Sequence, residues 1–94
     1  MTNYTIIGLG RIGTSLGMAI RGRQGGKSSV IGYDADNNAQ SLAQRMGAVD
    51  SVEWDLSKAV GDADLVIAAT PAKSLYDVFK AIAPHLKPGA VITD

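Results

Sequence analysis

Gly8, Gly10 and Gly13 stand at G-x-G-x-x-G spacing inside YTIIGLGRIGTSLG, between an apolar run and a segment of helical character. Glycine at the first position lets a strand turn sharply. At the second it removes the side chain that would hold the backbone away from an anion, and at the third it lets the new helix pack closely on the sheet. The first turn of such a helix carries N–H groups without intrahelical partners, and the helix dipole adds partial positive charge, so backbone alone can hold a phosphate. Asp34 closes a second apolar run, VIGYD, 21 residues beyond Gly13. A carboxylate there accepts hydrogen bonds from both hydroxyls of an adenosine ribose and repels a 2′-phosphate. Together these features point to a dinucleotide, with NAD favoured over NADP. Since 11 glycines can produce the spacing by chance, the flanks decide. Ile6 and Ile7 precede the pattern and TSLGMAIR follows it, as a strand–turn–helix requires. The competing reading is a plain tight turn, with Asp34 capping the next helix.

Elements that would position these residues alternate along the chain. Strands are expected at Tyr4–Gly8, Val30–Tyr33, weakly within Val49–Val52, at Asp64–Ala69 and at Ala90–Thr93. Helices are expected at Ile12–Arg21, with Ile12, Leu16 and Ile20 every fourth residue and Gly13 and Gly17 forming a small-residue stripe. A second runs from a cap at Asp36 or Asn37 to Met46, with Leu42, Ala43 and Met46 facing inward and Gly47 left-handed beyond it. Asp55 caps a short helix through Val60, and Ser74–Leu86 is amphipathic through Leu75, Val78, Phe79, Ile82 and Leu86. Strands alternating with helices imply right-handed crossovers and an α/β fold: a doubly wound parallel sheet of about five strands, order 3-2-1-4-5, the Rossmann architecture.

Composition sets outer bounds. The chain has 94 residues, 46% apolar and 19% charged, with no formal net charge, which fits one domain spanning residues 1–94. The scattered charges form no basic stripe of the kind that tracks nucleic acid. Arg21, Arg23 and Lys27 cluster in the Gly-rich RGRQGGKSS, where solvating a surface connection is the expected role. There is no cysteine, no apolar run of membrane-spanning length and no basic segment ahead of the first strand. The expected location is the cytoplasm.

In its ordered motifs IIGLGRIGTSLGMAI, IGYD, ADLVIAATP and AIAPHLKPGAVITD, the chain resembles the N-terminal cofactor domain of the prephenate and arogenate dehydrogenase family, which makes the precursor of tyrosine. Related patterns occur in 3-hydroxyisobutyrate dehydrogenases, pyrroline-carboxylate reductases and 2-hydroxyacid dehydrogenases, the last of which favour Arg at the position of Arg11. The resemblance implies an NAD-dependent oxidoreductase. In it, Gly8, Gly10 and Gly13 hold the pyrophosphate, Arg11 and Ile12 supply backbone N–H groups, Asp34 binds the ribose, and Ala69, Thr70 and Pro71 line the nicotinamide side. It also implies a catalytic histidine and a helical, dimer-forming substrate domain beyond Asp94. The 94 residues are therefore expected to bind cofactor without completing a reaction.

His85, in APHLKPG, is expected at the end of the sheet away from the ligand, as a solvated or helix-terminal residue. Ser74 reads as an N-cap, with Asp77 three residues on in a box-like arrangement, or as a cofactor contact. Tyr33 reads equally as an adenine neighbour or as packing under a helix, and Trp54 as core or rim. Two other functions use the same glycines and Asp34: a free-standing nucleotide-sensing domain and a mononucleotide site for AMP or ADP.

Overall fold

In the computed structural model, which describes residues 1–94 except for the surroundings of residues 24 and 25, β1 (Thr2–Ile7) lies at the centre of the sheet. It pairs in parallel with β2 (Ser28–Tyr33) on one side and with β4 (Leu65–Ala68) on the other. Then β3 (Ser51–Val52) extends the β2 side and β5 (Val91–Thr93) the β4 side, giving the expected order 3-2-1-4-5. The register sets Ile7 beside Tyr33 and Ala68, so three strands end together.

Helices α1 (Arg11–Gln24) and α2 (Asn37–Arg45) cover one face, over Ile6, Val30 and Ile67. Helices α3 (Leu56–Val60) and α4 (Leu75–Ile82) cover the other, over Ile7 and Val66. The small-residue stripe of α1 lies against backbone: a Cβ on Gly13 would overlap the carbonyl oxygen of Gly8, and one on Gly17 that of Ala48. Ile12 and Leu16, expected to share the inward stripe, are exposed, with Ile12 at 71%. The approach at the glycines is too close for large side chains on the contacting face.

Other expectations need correction. α1 continues through residue 24 into a 3-10 turn at Gly25–Lys27, so the presumed Gly-rich connection is largely helical. Arg21 is a brace, with its Nε 2.9 Å from Asp50 Oδ1 and its Nη1 donating to Gly47 O at 2.7 Å. On α2, capped by Asp36, Ala43 is buried as expected, but Leu42 and Met46 are about half exposed, at 50% and 49%. The inward place is taken by Gln40. Helix α4 is shorter than Ser74–Leu86 because Pro84 has no N–H to continue the ladder, and a 3-10 turn, Ala83–His85, follows. Asp55 caps α3, its carboxylate accepting from the Ser57 N–H and hydroxyl. Gly47 is left-handed at φ 77°.

Candidate functional site

A cleft of about 1090 Å³ opens beyond the carboxyl ends of β1, β2 and β4. That is where open α/β sheets bind ligands, at the switch between crossovers to one face and to the other. Gly8 leaves β1 at φ 97°, a conformation that L side chains rarely adopt, and a Cβ there would also meet Ala69 O at 2.7 Å. Its N–H donates to Tyr33 O at 2.8 Å, while Ala69 N–H donates to Ile7 O at 2.7 Å, so the turn is fastened to both neighbouring strands. A Cβ on Gly10, in contrast, would meet nothing within 4 Å. The first intrahelical bond of α1 runs from Thr14 N–H to Gly10 O at 2.9 Å, which leaves the amides of residues 11–13 ahead of the ladder. Thr14 Oγ1 donates to Leu9 O at 3.1 Å and closes the turn.

Asp34 stands at the tip of β2. Its Oδ2 accepts the Leu9 N–H at 2.8 Å and its Oδ1 accepts the Asp36 N–H at 2.9 Å. One carboxylate therefore ties the glycine turn to the start of α2. A carboxylate offers about four acceptor positions, so the remainder are free for a ligand's hydroxyls. The capping alternative does not hold for Asp34, because the cap of α2 is Asp36, which accepts from Asn38 N–H at 2.9 Å.

Gly8, Gly10, Arg11, Ile12, Asp34, Ala69, Thr70 and Pro71 all line the cleft. Gly13 does not; it is buried beneath the turn, where it allows α1 to meet the Gly8 carbonyl. Ser74 belongs to a 3-10 turn, Ala72–Ser74, and makes no side-chain cap bond, so the capping box with Asp77 is not formed. Both residues line the cleft, as does Tyr33. Sequence reading missed the apolar wall formed by Leu56, Val78 and Ala81. The amphipathic period of α4 marks Val78 as inward but does not distinguish core from cleft rim. Thr70 Oγ1 is buried with no hydrogen-bond partner among the described residues. Trp54 is exposed, and His85 is exposed after α4, at the opposite end of the sheet. Among the described residues no group of three His, Cys, Asp or Glu could hold a metal ion, and no helix is long and apolar enough to cross a membrane.

A doubly wound parallel sheet with a glycine turn, free helix amides and an acidic second strand end defines a nucleotide-binding domain of the Rossmann class. Comparison with known proteins narrows this. The family model described as prephenate dehydrogenase, nucleotide-binding domain, matches residues 16–94, beginning just after the glycine turn. A prephenate dehydrogenase of Lactococcus lactis subsp. cremoris is 35% identical over 95 residues, covering 100% of this chain and 26% of that protein. The crystal structure of Synechocystis arogenate dehydrogenase superimposes with a TM-score of 0.89 at 30% identity, covering 99% of this chain and 32% of the other. Prephenate dehydrogenase from A. aeolicus, solved with hydroxyphenyl propionate and NAD+, gives 0.88 at 27% identity, covering 100% and 33%. The chain belongs to the prephenate dehydrogenase nucleotide-binding domain family. It spans between about a quarter and a third of the length of these relatives.

Proposed function

We propose that this chain is the NAD-binding part of a cytoplasmic prephenate or arogenate dehydrogenase, an oxidoreductase of tyrosine biosynthesis. The observation that carries the reading is the placement of Asp34 beside the glycine turn, in a family whose member from A. aeolicus was solved with NAD+. NAD supplies the hydride acceptor when bound. The chain's own residues bind and orient it: the amides after Gly10 receive the diphosphate, Asp34 takes the ribose hydroxyls, and Leu56, Val78 and Ala81 give an apolar wall for a base. Ala69, Thr70 and Pro71 border the nicotinamide end. Substrate-holding and acid–base groups, together with dimer contacts, are assigned to the larger remainder that the relatives possess. Hydride transfer needs a substrate held against the ring.

The test is calorimetric titration of the chain with NAD, NADP, ADP and ATP. Saturable binding of NAD, tighter than NADP, is expected. Asp34→Ala should weaken NAD by about tenfold, the worth of a charge-assisted hydrogen bond, and bring NAD and NADP closer. Unchanged NAD affinity in that variant would refute the assignment of Asp34.

A further inference from the structure

Gln40, on the inward face of α2, is 0% exposed, while its neighbours on that face, Ala39 and Ala43, are small and apolar. Its Oε1 accepts the backbone N–H of Asp34 at 3.1 Å. Its Nε2, equally buried, has no hydrogen-bond partner among the described residues. A buried amide with half its capacity unmet costs stability that Leu or Met at the same place would not. Packing alone therefore does not account for a glutamine here. The contact with Asp34 does.

Asp34 is held at three points: Leu9 N–H and Asp36 N–H on its carboxylate, and Gln40 on its backbone. The first two come from exposed or turn backbone at the ends of elements, whereas Gln40 reaches from the buried side of a helix packed on the sheet. We propose that Gln40 is the positioning residue for Asp34 and through it sets the preference for NAD over NADP. This rests on the reading of Asp34 as the ribose-binding carboxylate. Hydrogen bonds to two ribose hydroxyls demand heavy-atom distances within a few tenths of an ångström. Repulsion of a 2′-phosphate likewise depends on how near the carboxylate is kept. Freed from Gln40, the tip of β2 can shift, weakening the first and relaxing the second.

The experiment measures Kd for NAD and for NADP with wild type, Gln40→Met, Asp34→Ala and the double variant. Gln40→Met leaves the part-buried Asp34 N–H without its acceptor but eliminates the buried unpaired donor and keeps the side-chain volume, so the two effects offset and the fold is expected to survive. The NAD-to-NADP preference should narrow about fivefold in Gln40→Met, the worth of one neutral hydrogen bond, and should not narrow further when Gln40→Met is added to Asp34→Ala. Gln40→Glu keeps an oxygen at the same reach and, fully buried beside Asp34, is expected to be held in its neutral form, so it should retain the wild-type preference. An unchanged preference in Gln40→Met, or equal narrowing with and without Asp34, overturns the proposal. If Asp34→Ala itself leaves the preference unchanged, the ribose reading of Asp34 is what fails. Should Gln40→Met not fold, amide hydrogen exchange of the wild type decides: slow exchange at Asp34 supports the proposal and fast exchange overturns it.

Discussion

At the amino ends of the strands, the polar groups are used on one another. Asn3 N–H donates to Asp64 Oδ2 at 2.7 Å, Lys87 Nζ lies 2.9 Å from Asp64 Oδ1, and Asn3 Nδ2 reaches Asp62. On the other half of the sheet, Asp50 accepts the Val30 N–H at 2.8 Å and meets Arg21. At the carboxyl ends, in contrast, the amides of residues 11–13 precede the helical ladder, Asp34 keeps acceptor positions, and the Thr70 hydroxyl has no partner among the described residues. The same strands thus carry a clasped end and an unfinished one. Unused hydrogen-bonding capacity gathered at one end, part of it the buried Thr70 hydroxyl whose unmet bond costs stability, is what a ligand site presents.

Substitutions that confuse the two kinds of position should break this comparison. The largest effect is expected at Gly13, where any side chain collides with the Gly8 carbonyl. Gly13→Val should lower stability by at least about 3 kcal/mol, a large share of what a small domain has. A urea midpoint close to that of wild type would show that α1 can move off the turn. Next comes Gly10→Val, three residues away and facing open space. NAD affinity should fall at least about a hundredfold, the loss of two charge-assisted hydrogen bonds, while the urea midpoint shifts little. Normal NAD binding by that variant would reduce the loop to a turn.

Thr70→Val sharpens the contrast. It removes an orphan hydroxyl without changing shape, so stability should hold or rise by about 0.5–1 kcal/mol, while NAD binds about threefold or more weakly. Clear destabilisation would mean that the hydroxyl already has a partner. The smallest effect is expected at the clasp. The Asn3 N–H, and then Lys87, hold the Asp64 carboxyl below its ordinary value, while Asp64 raises Lys87. The Asp64 contribution is present above the unfolded carboxylate value of about 3.9 and is lost as pH falls through the lower folded value. The Lys87 contribution is present below about 10.4 and is lost as pH rises through its raised folded value. Thermal melts against pH should show Lys87→Met flattening the alkaline loss and reducing the acid one. Wild-type pH dependence in that variant would remove the pair from the account.

Local chemistry made much of this legible. The glycine turn, Asp34 and the strand ending at Ala68 depend on short-range sequence, and the order of the strands follows from the alternation of periods. Four features escaped, the first two because they depend on what lies across the fold. A glutamine inside a helical pattern reads as surface, and only the position of the β2 tip reveals why Gln40 is buried. Leu42 and Met46 read as core, but with Leu9 and Met18 they border a groove between α1 and α2. Ser74 has the residue type and spacing of a cap, yet the 3-10 turn before it displaces the cap geometry. Arg21 read as a loop cation because the helix outlasts its apolar stripe.

The single carboxylate that joins the glycine turn to the entry of α2 also bears on time. Two segments that most need ordering around a dinucleotide are already tied to each other through Asp34. Entropy that would be lost on encounter is lost on folding instead. With Asp34 as the ribose-binding carboxylate proposed above, capture of the adenosine half is expected to need no slow loop closure, so stopped-flow mixing should show a rate that rises in direct proportion to nucleotide concentration.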